Sequence, residues 1–142
     1  MTRRRQQGKQ HAKRAQKAAH ERLESLSGTY IPDRTDKRTK QWDTAYDDAN
    51  TLRIQFNTWR DGKTLVDFVI VIQLLGANGW DDIERFDCCH GHCHLHNGGT
   101  GNREPIYQLD SADDVQIAFV RASDEAQHRA RIIRNTGKGV NR

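Results

Sequence analysis

The sequence predicts an α+β fold: an antiparallel β-meander of three to five strands packed against a C-terminal helix, with a basic helical arm at the N-terminus. Three observations predict it. Between Thr51 and Asp87, three stretches of strand-like patterning are separated by the tight-turn dipeptides Asp61-Gly62 and Asn78-Gly79. From Ala112 to Arg134, apolar residues recur at helical spacing. The charge is also split along the chain. Residues 1–40 carry twelve Lys/Arg against four Asp/Glu, and residues 41–142 carry eleven against fifteen. The formal net charge of +4 therefore conceals a basic arm on an acidic body, a pattern that points to polyanion contact or to an arm docked on its own body.

The elements follow in order. In residues 1–28, Ala12, Ala15, Ala19, Leu23 and Leu26 form one narrow helical stripe, and Gly28 supplies a stop. Arg3, Arg4, Arg5, Lys9, Lys13, Arg14 and Lys17 are the candidate nucleic-acid-binding residues of this arm; a solvated helix explains the same composition. No aromatic residue precedes Tyr30, so contact there would be with phosphates and non-specific rather than by base stacking. Residues 29–50 are polar and irregular and read as a linker. Leu52, Ile54 and Phe56 then alternate with Arg53, Gln55 and Asn57, the period of a half-buried strand. Leu65 to Leu75 is apolar on both faces, as a central strand requires, and Trp80 to Asp87 forms a third strand. After the loop at residues 97–102, Ile106 to Leu109 suits a short further strand. Residues 111–114, Ser-Ala-Asp-Asp, resemble a capping box with Asp in place of Glu. The helix that follows aligns Val115, Phe119, Ala122, Ala126, Ala130 and Ile133. Arg129, Arg131 and Arg134 near its end suit the helix dipole. Residues 51–136 thus make the α+β domain and residues 137–142 a disordered tail.

A length of 142 residues suits one domain. The three cysteines, Cys88, Cys89 and Cys93, are odd in number and clustered, which argues against a disulfide framework and for a reducing compartment. No apolar segment follows the basic N-terminus, so no secretory signal is read. The longest apolar run is too short to span a membrane. The expected location is the cytoplasm, with no membrane partner.

The chemistry concentrates in residues 88–96, CCHGHCHLH. Imidazole and thiolate suit Zn²⁺ or another divalent transition metal, provided three or four donors converge. On an extended strand His90, His92, His94 and His96 would share one face at roughly 7 Å intervals, too far apart for four to meet one ion. A bend at Gly91 would bring His90 or Asp87 back towards His94 and His96. The candidate metal ligands are therefore Asp87, Cys89, His90, Cys93, His94 and His96. Without a metal, Asp87, His90, His94 and His96 remain candidate catalytic residues, with two histidines as general acid and base and a carboxylate fixing a tautomer. Such pairs cleave RNA by activating its 2′-hydroxyl. A structural site, with zinc or metal-free, is the third option.

The segment FVIVIQLLGANGWDDIERFDCCHGHCHLH resembles a family of small uncharacterised bacterial and phage proteins. Its members show a turn with Trp, then Arg-(Phe/Tyr)-Asp, His-Gly and His-x-His. More distantly the segment is similar to TumE-type toxins of toxin–antitoxin pairs. The matching positions are Asp87, His90, Gly91, His94 and His96. Cys88-Cys89 replaces the Asn or Ala of the relatives, and His92 and Cys93 are additional. The resemblance implies a small accessory protein, with an RNA-cleaving, ribonuclease-like phosphodiesterase as one expectation and an antitoxin or host factor as partner. The alternative expectation is a non-catalytic module that binds nucleic acid or protein, its His/Cys site being structural.

Overall fold

The computed structural model describes residues 28–98 and 103–136. The predicted arm, the Asn-Gly-rich loop beyond Gly98 and the predicted tail lie outside these residues. Six strands form one antiparallel sheet in sequential order: β1 (Arg38–Ala45), β2 (Leu52–Asp61), β3 (Thr64–Gly76), β4 (Gly79–Cys89), β5 (His92–Asn97) and β6 (Arg103–Gln108). One helix, α1 (Ala112–Thr136), covers one face.

The α+β class holds, but six strands replace the expected three to five. The additional strand is β1, which occupies part of the expected 29–50 linker. It is an edge strand, exposed almost throughout, so it carries no buried alternation for a sequence to show. Only Trp42 is half-buried, stacked on its register partner Phe56 at 5.1 Å. The rest of the expected linker is also tied down. Gly28 N–H donates to Gly91 C=O at 2.7 Å, and Tyr30 N–H donates to Leu109 C=O. The Tyr30 hydroxyl donates to Val66 C=O, and Arg34 pairs with Asp67 at 2.6 Å while stacking on Trp59.

Residues paired across an antiparallel ladder share a face. Ile54, Ile72 and Glu84 form one such row on the helix side, and Phe56, Ile70, Phe86 and Leu95 form the next. Phe119 of α1 stands edge-on to Phe68 at 5.2 Å, which identifies this as the covered face. The buried stripe of α1 is Val115, Ala118, Ala122, Ala126, Ala130 and Ile133. Its alanines let the helix backbone approach the sheet closely. Asp114 closes the helix start by accepting from the Asp110 and Ser111 N–H groups, so the Asp does perform the back-reaching half of the capping box.

A bulge at Ile83 keeps this pattern in phase. Glu84 pairs with Ile72 on the helix face, whereas Asp82 pairs with Gln73 on the other. Glu84 is buried there and accepts a bidentate pair of bonds from Arg129 at 2.8 and 2.6 Å. Arg129 therefore joins α1 to β4, in keeping with a structural role.

Candidate functional site

The β4–β5 hairpin builds the site. His90 and Gly91 form its two-residue turn with φ of 54° and 75°, the pair of positive values that a type I′ turn requires. Asp87 then faces His94, and Arg85 faces His96. Asp87 also pairs with Val69, the neighbour of Phe68 in β3, so this row points away from α1. The polar site thus occupies the sheet face opposite the helix.

Four side chains converge. His94 Nε2 lies 2.8 Å from Asp87 Oδ1, 2.6 Å from His96 Nε2 and 3.5 Å from Cys89 Sγ. His96 Nε2 lies 3.3 Å from Asp87 Oδ2, and Arg85 Nε approaches the same oxygen at 3.0 Å. Donor atoms of Asp87, Cys89 and His94 all fall within 4.8 Å of one another. Exposure is graded: His94 is fully buried, Asp87 retains 17% of its side-chain surface and His96 22%. A cleft of about 210 Å³ beside His96 is lined by Arg85, Asp82, Ile83, Glu84 and Gly98.

Burial would raise the pKa of Asp87, but the His94 hydrogen bond and the charges of His94, His96 and Arg85 hold its carboxyl down to about 2. Burial lowers both His92 and His96, and burial together with the Asp87 charge pushes the Cys89 thiol up.

Two predicted donors are not brought in. His90 is exposed in the turn; only its carbonyl participates, facing His92 Nδ1 at 3.2 Å. The bend at Gly91 returns Asp87, not His90, because the ladder partner of His94 lies on β4. Cys93 pairs with Cys88 and is buried in the core on the opposite face, since neighbours in a strand point to opposite sides. Contact with Cys93 and burial raise Cys88 strongly. The predicted arm residues from Arg3 to Lys17 lie outside the described residues. Their chain joins the described structure at Gly28, against the turn of this hairpin.

Two arginines were not singled out from sequence, and His92 was noted there without being named as a donor. Arg85 and Arg103 are both register partners of His96, on β4 and β6. His92 faces the same side as His94, with ring centroids 4.9 Å apart. The strand alternation already puts His92 on one face with His94 and His96; cross-strand register, which pairs the arginines with His96, is not written in one stretch of sequence.

The model for a domain of unknown function, DUF7718, matches residues 34–136. The chain belongs to this family. The DUF7718 match runs from Arg34 through the end of α1 and so contains the complete hairpin site. No curated protein and no solved structure matches the chain. The DUF7718 assignment agrees with the expected uncharacterised family and lends no activity to the site.

Proposed function

We propose that this chain is a small bacterial or phage accessory protein that binds RNA and cleaves its phosphodiester backbone at the β4–β5 hairpin. The supporting observation is the in-register row Arg85–His96–Arg103 across three strands, beside the Asp87–His94 row. Two guanidiniums flank His96, which keeps 22% of its side-chain surface beside the buried His94. Guanidinium is well suited to phosphate oxygens, and a cleft opens beside His96.

In this reading His96 is the catalytic residue and meets the substrate. Asp87 and His94 are positioning residues that hold its Nε2. The centre accepts the 2′-hydroxyl proton, the 2′-oxygen forms a bond to phosphorus, and the bond to the 5′-oxygen breaks. That leaving oxygen takes up the proton the centre accepted, which returns the centre to its starting protonation state. The products are a 2′,3′-cyclic phosphate and a 5′-hydroxyl end. Arg85 and Arg103 neutralise the phosphate as charge builds on it. The basic residues 1–27 join beside the hairpin turn and would concentrate RNA there, with strong salt dependence. A cytoplasmic location and an antitoxin-like or host protein partner fit the same picture.

The test is incubation of full-length, untagged protein with a single-stranded RNA oligonucleotide and its DNA counterpart, with Zn²⁺, Mn²⁺ or Mg²⁺ added in turn. Cleavage of RNA alone supports the proposal, since DNA lacks the 2′-hydroxyl. Intact RNA under all three conditions overturns it.

One observation favours a second reading. His94 has no exposed surface, as a purely structural centre would have. The protein would then be a binding module whose centre stabilises the hairpin. RNA binding without cleavage, lost on deletion of residues 1–27 while the domain stays folded, is the outcome that favours it.

A further inference from the structure

We propose that the hairpin centre, as located in the reading above, binds one divalent transition metal ion of the zinc class through Asp87, Cys89 and His94, whose donor atoms lie within 4.8 Å of one another, with His96, next to His94 and Asp87, as the fourth donor. Counting valences at one atom leads there. His94 Nε2 has partners at 2.8, 2.6 and 3.5 Å in Asp87, His96 and Cys89. A ring nitrogen offers one proton or one lone pair, so it can make one of these bonds in a given tautomer and not all three. Donor atoms drawn together around a point, rather than along single hydrogen bonds, are what a shared cation needs.

The donor chemistry agrees. Two imidazoles, a carboxylate and a thiol make a mixed N/O/S set suited to Zn²⁺ and its borderline neighbours, and unlike the all-oxygen sets of Mg²⁺ or Ca²⁺. Arg85 Nε lies 3.0 Å from Asp87 Oδ2 and helps to orient that carboxylate. Access survives on the His96 side, where the cleft opens.

His92 is an independent observation. It is 3% exposed and its ring lies against His94. Its Nδ1 faces the His90 carbonyl, which can only accept, so the proton sits on Nδ1. Its Nε2 therefore carries a lone pair, is buried, and has no protein partner. A buried unpaired polar atom is costly unless something meets it. A hydrated cation beside His94 would supply that partner. When bound, the ion would polarise a phosphate oxygen and lower the pKa of a coordinated hydroxyl.

The experiment is elemental analysis of untagged full-length protein, followed by Co²⁺ titration of metal-stripped protein monitored by visible absorption. One metal per chain is expected, with a tetrahedral Co²⁺ spectrum carrying a thiolate charge-transfer band. Cys89→Ser should remove that band, whereas Cys93→Ser and His90→Ala should keep it. His96→Ala, at the accessible edge of the site, should weaken binding by more than about a hundredfold, beyond the roughly ten- to hundredfold loss of a group that only orients a ligand. Absence of metal as purified together with no saturable Co²⁺ or Zn²⁺ binding by the wild type overturns the proposal, and no variant has to fold for that result. A charge-transfer band unaffected by Cys89→Ser also overturns it. Stoichiometric metal without RNA cleavage leaves the metal site standing and removes the enzymatic reading alone.

Discussion

Gly91 and Gly28 touch backbone to backbone. Gly28 N–H donates to Gly91 C=O at 2.7 Å, and a Cβ built on Gly91 would lie 2.1 Å from the Gly28 carbonyl oxygen. Gly91 is also left-handed, with φ of 75°. The site's turn is thus packed against the residue at which the N-terminal segment arrives. Gly91→Ala should cost about 3 kcal/mol or more, from left-handed strain plus a clash that no flexible side chain can relieve. Gly62→Ala is the matched control. Its φ is 60° but nothing lies within 4 Å of the added Cβ, so strain alone should cost about 1 kcal/mol. Urea denaturation of both variants measures the difference.

The Arg129–Glu84 pair should respond asymmetrically. The Glu84 side chain is 4% exposed and that of Arg129 24%. Arg129→Ala strands a buried carboxylate and should cost about 3 kcal/mol. Glu84→Ala frees a guanidinium that can turn towards solvent, and should cost roughly half as much. Equal losses in thermal or urea unfolding would contradict this account of how α1 is fixed to the sheet.

Asp47 gives a pH dependence away from the site. Burial raises its pKa, but hydrogen bonds from the Thr51 hydroxyl and the Thr51 and Leu52 N–H groups prevail, and the folded value lies below the ordinary one. A carboxyl depressed on folding stabilises the protein above its unfolded value, near about 3.9, and that contribution is lost as pH falls through the folded value. The stability of the wild type relative to Asp47→Asn should therefore be constant at neutral pH and decline below about pH 4. Paired unfolding curves from pH 7 to pH 2.5 read this directly.

The arginine row has its own signature. Arg103→Gln should lower kcat/KM on RNA by about tenfold, or ~1.4 kcal/mol, without changing the stability of the core. Deletion of residues 1–27 should weaken RNA binding and flatten its salt dependence, while Arg103→Gln should leave most of the salt slope in place. Binding measured at several salt concentrations separates the two contributions.

Much of this fold could be read from the chain. The alternation of Leu52, Ile54 and Phe56, the continuous apolar run of Leu65–Leu75, the two glycine turns and the Val115–Ile133 stripe locate β2, β3, β4 and α1, because burial and tight turns leave these patterns in the sequence. β1 could not be read in this way, since it buries only part of Trp42. Asp87, His94 and His96 were legible as one group because a hairpin returns nearby residues to one another. His90 was misread as a donor because its conformation depends on the type I′ turn, and Cys93 because strand parity sends it to the core. Arg85 and Arg103 became visible as a pair only with the register of β4, β5 and β6, which depends on the unshifted β4–β5 ladder and on the bulge at Ile106.

The most direct test of the proposed activity compares wild-type protein and His96→Ala on the same RNA oligonucleotide, with 2′,3′-cyclic phosphate ends quantified. The account predicts such ends from the wild type and at least about a hundredfold fewer from the variant, the range for loss of an acid–base or metal-ligating group. Equal cleavage by the two proteins, or none by the wild type with Zn²⁺, Mn²⁺ or Mg²⁺ present, would contradict it.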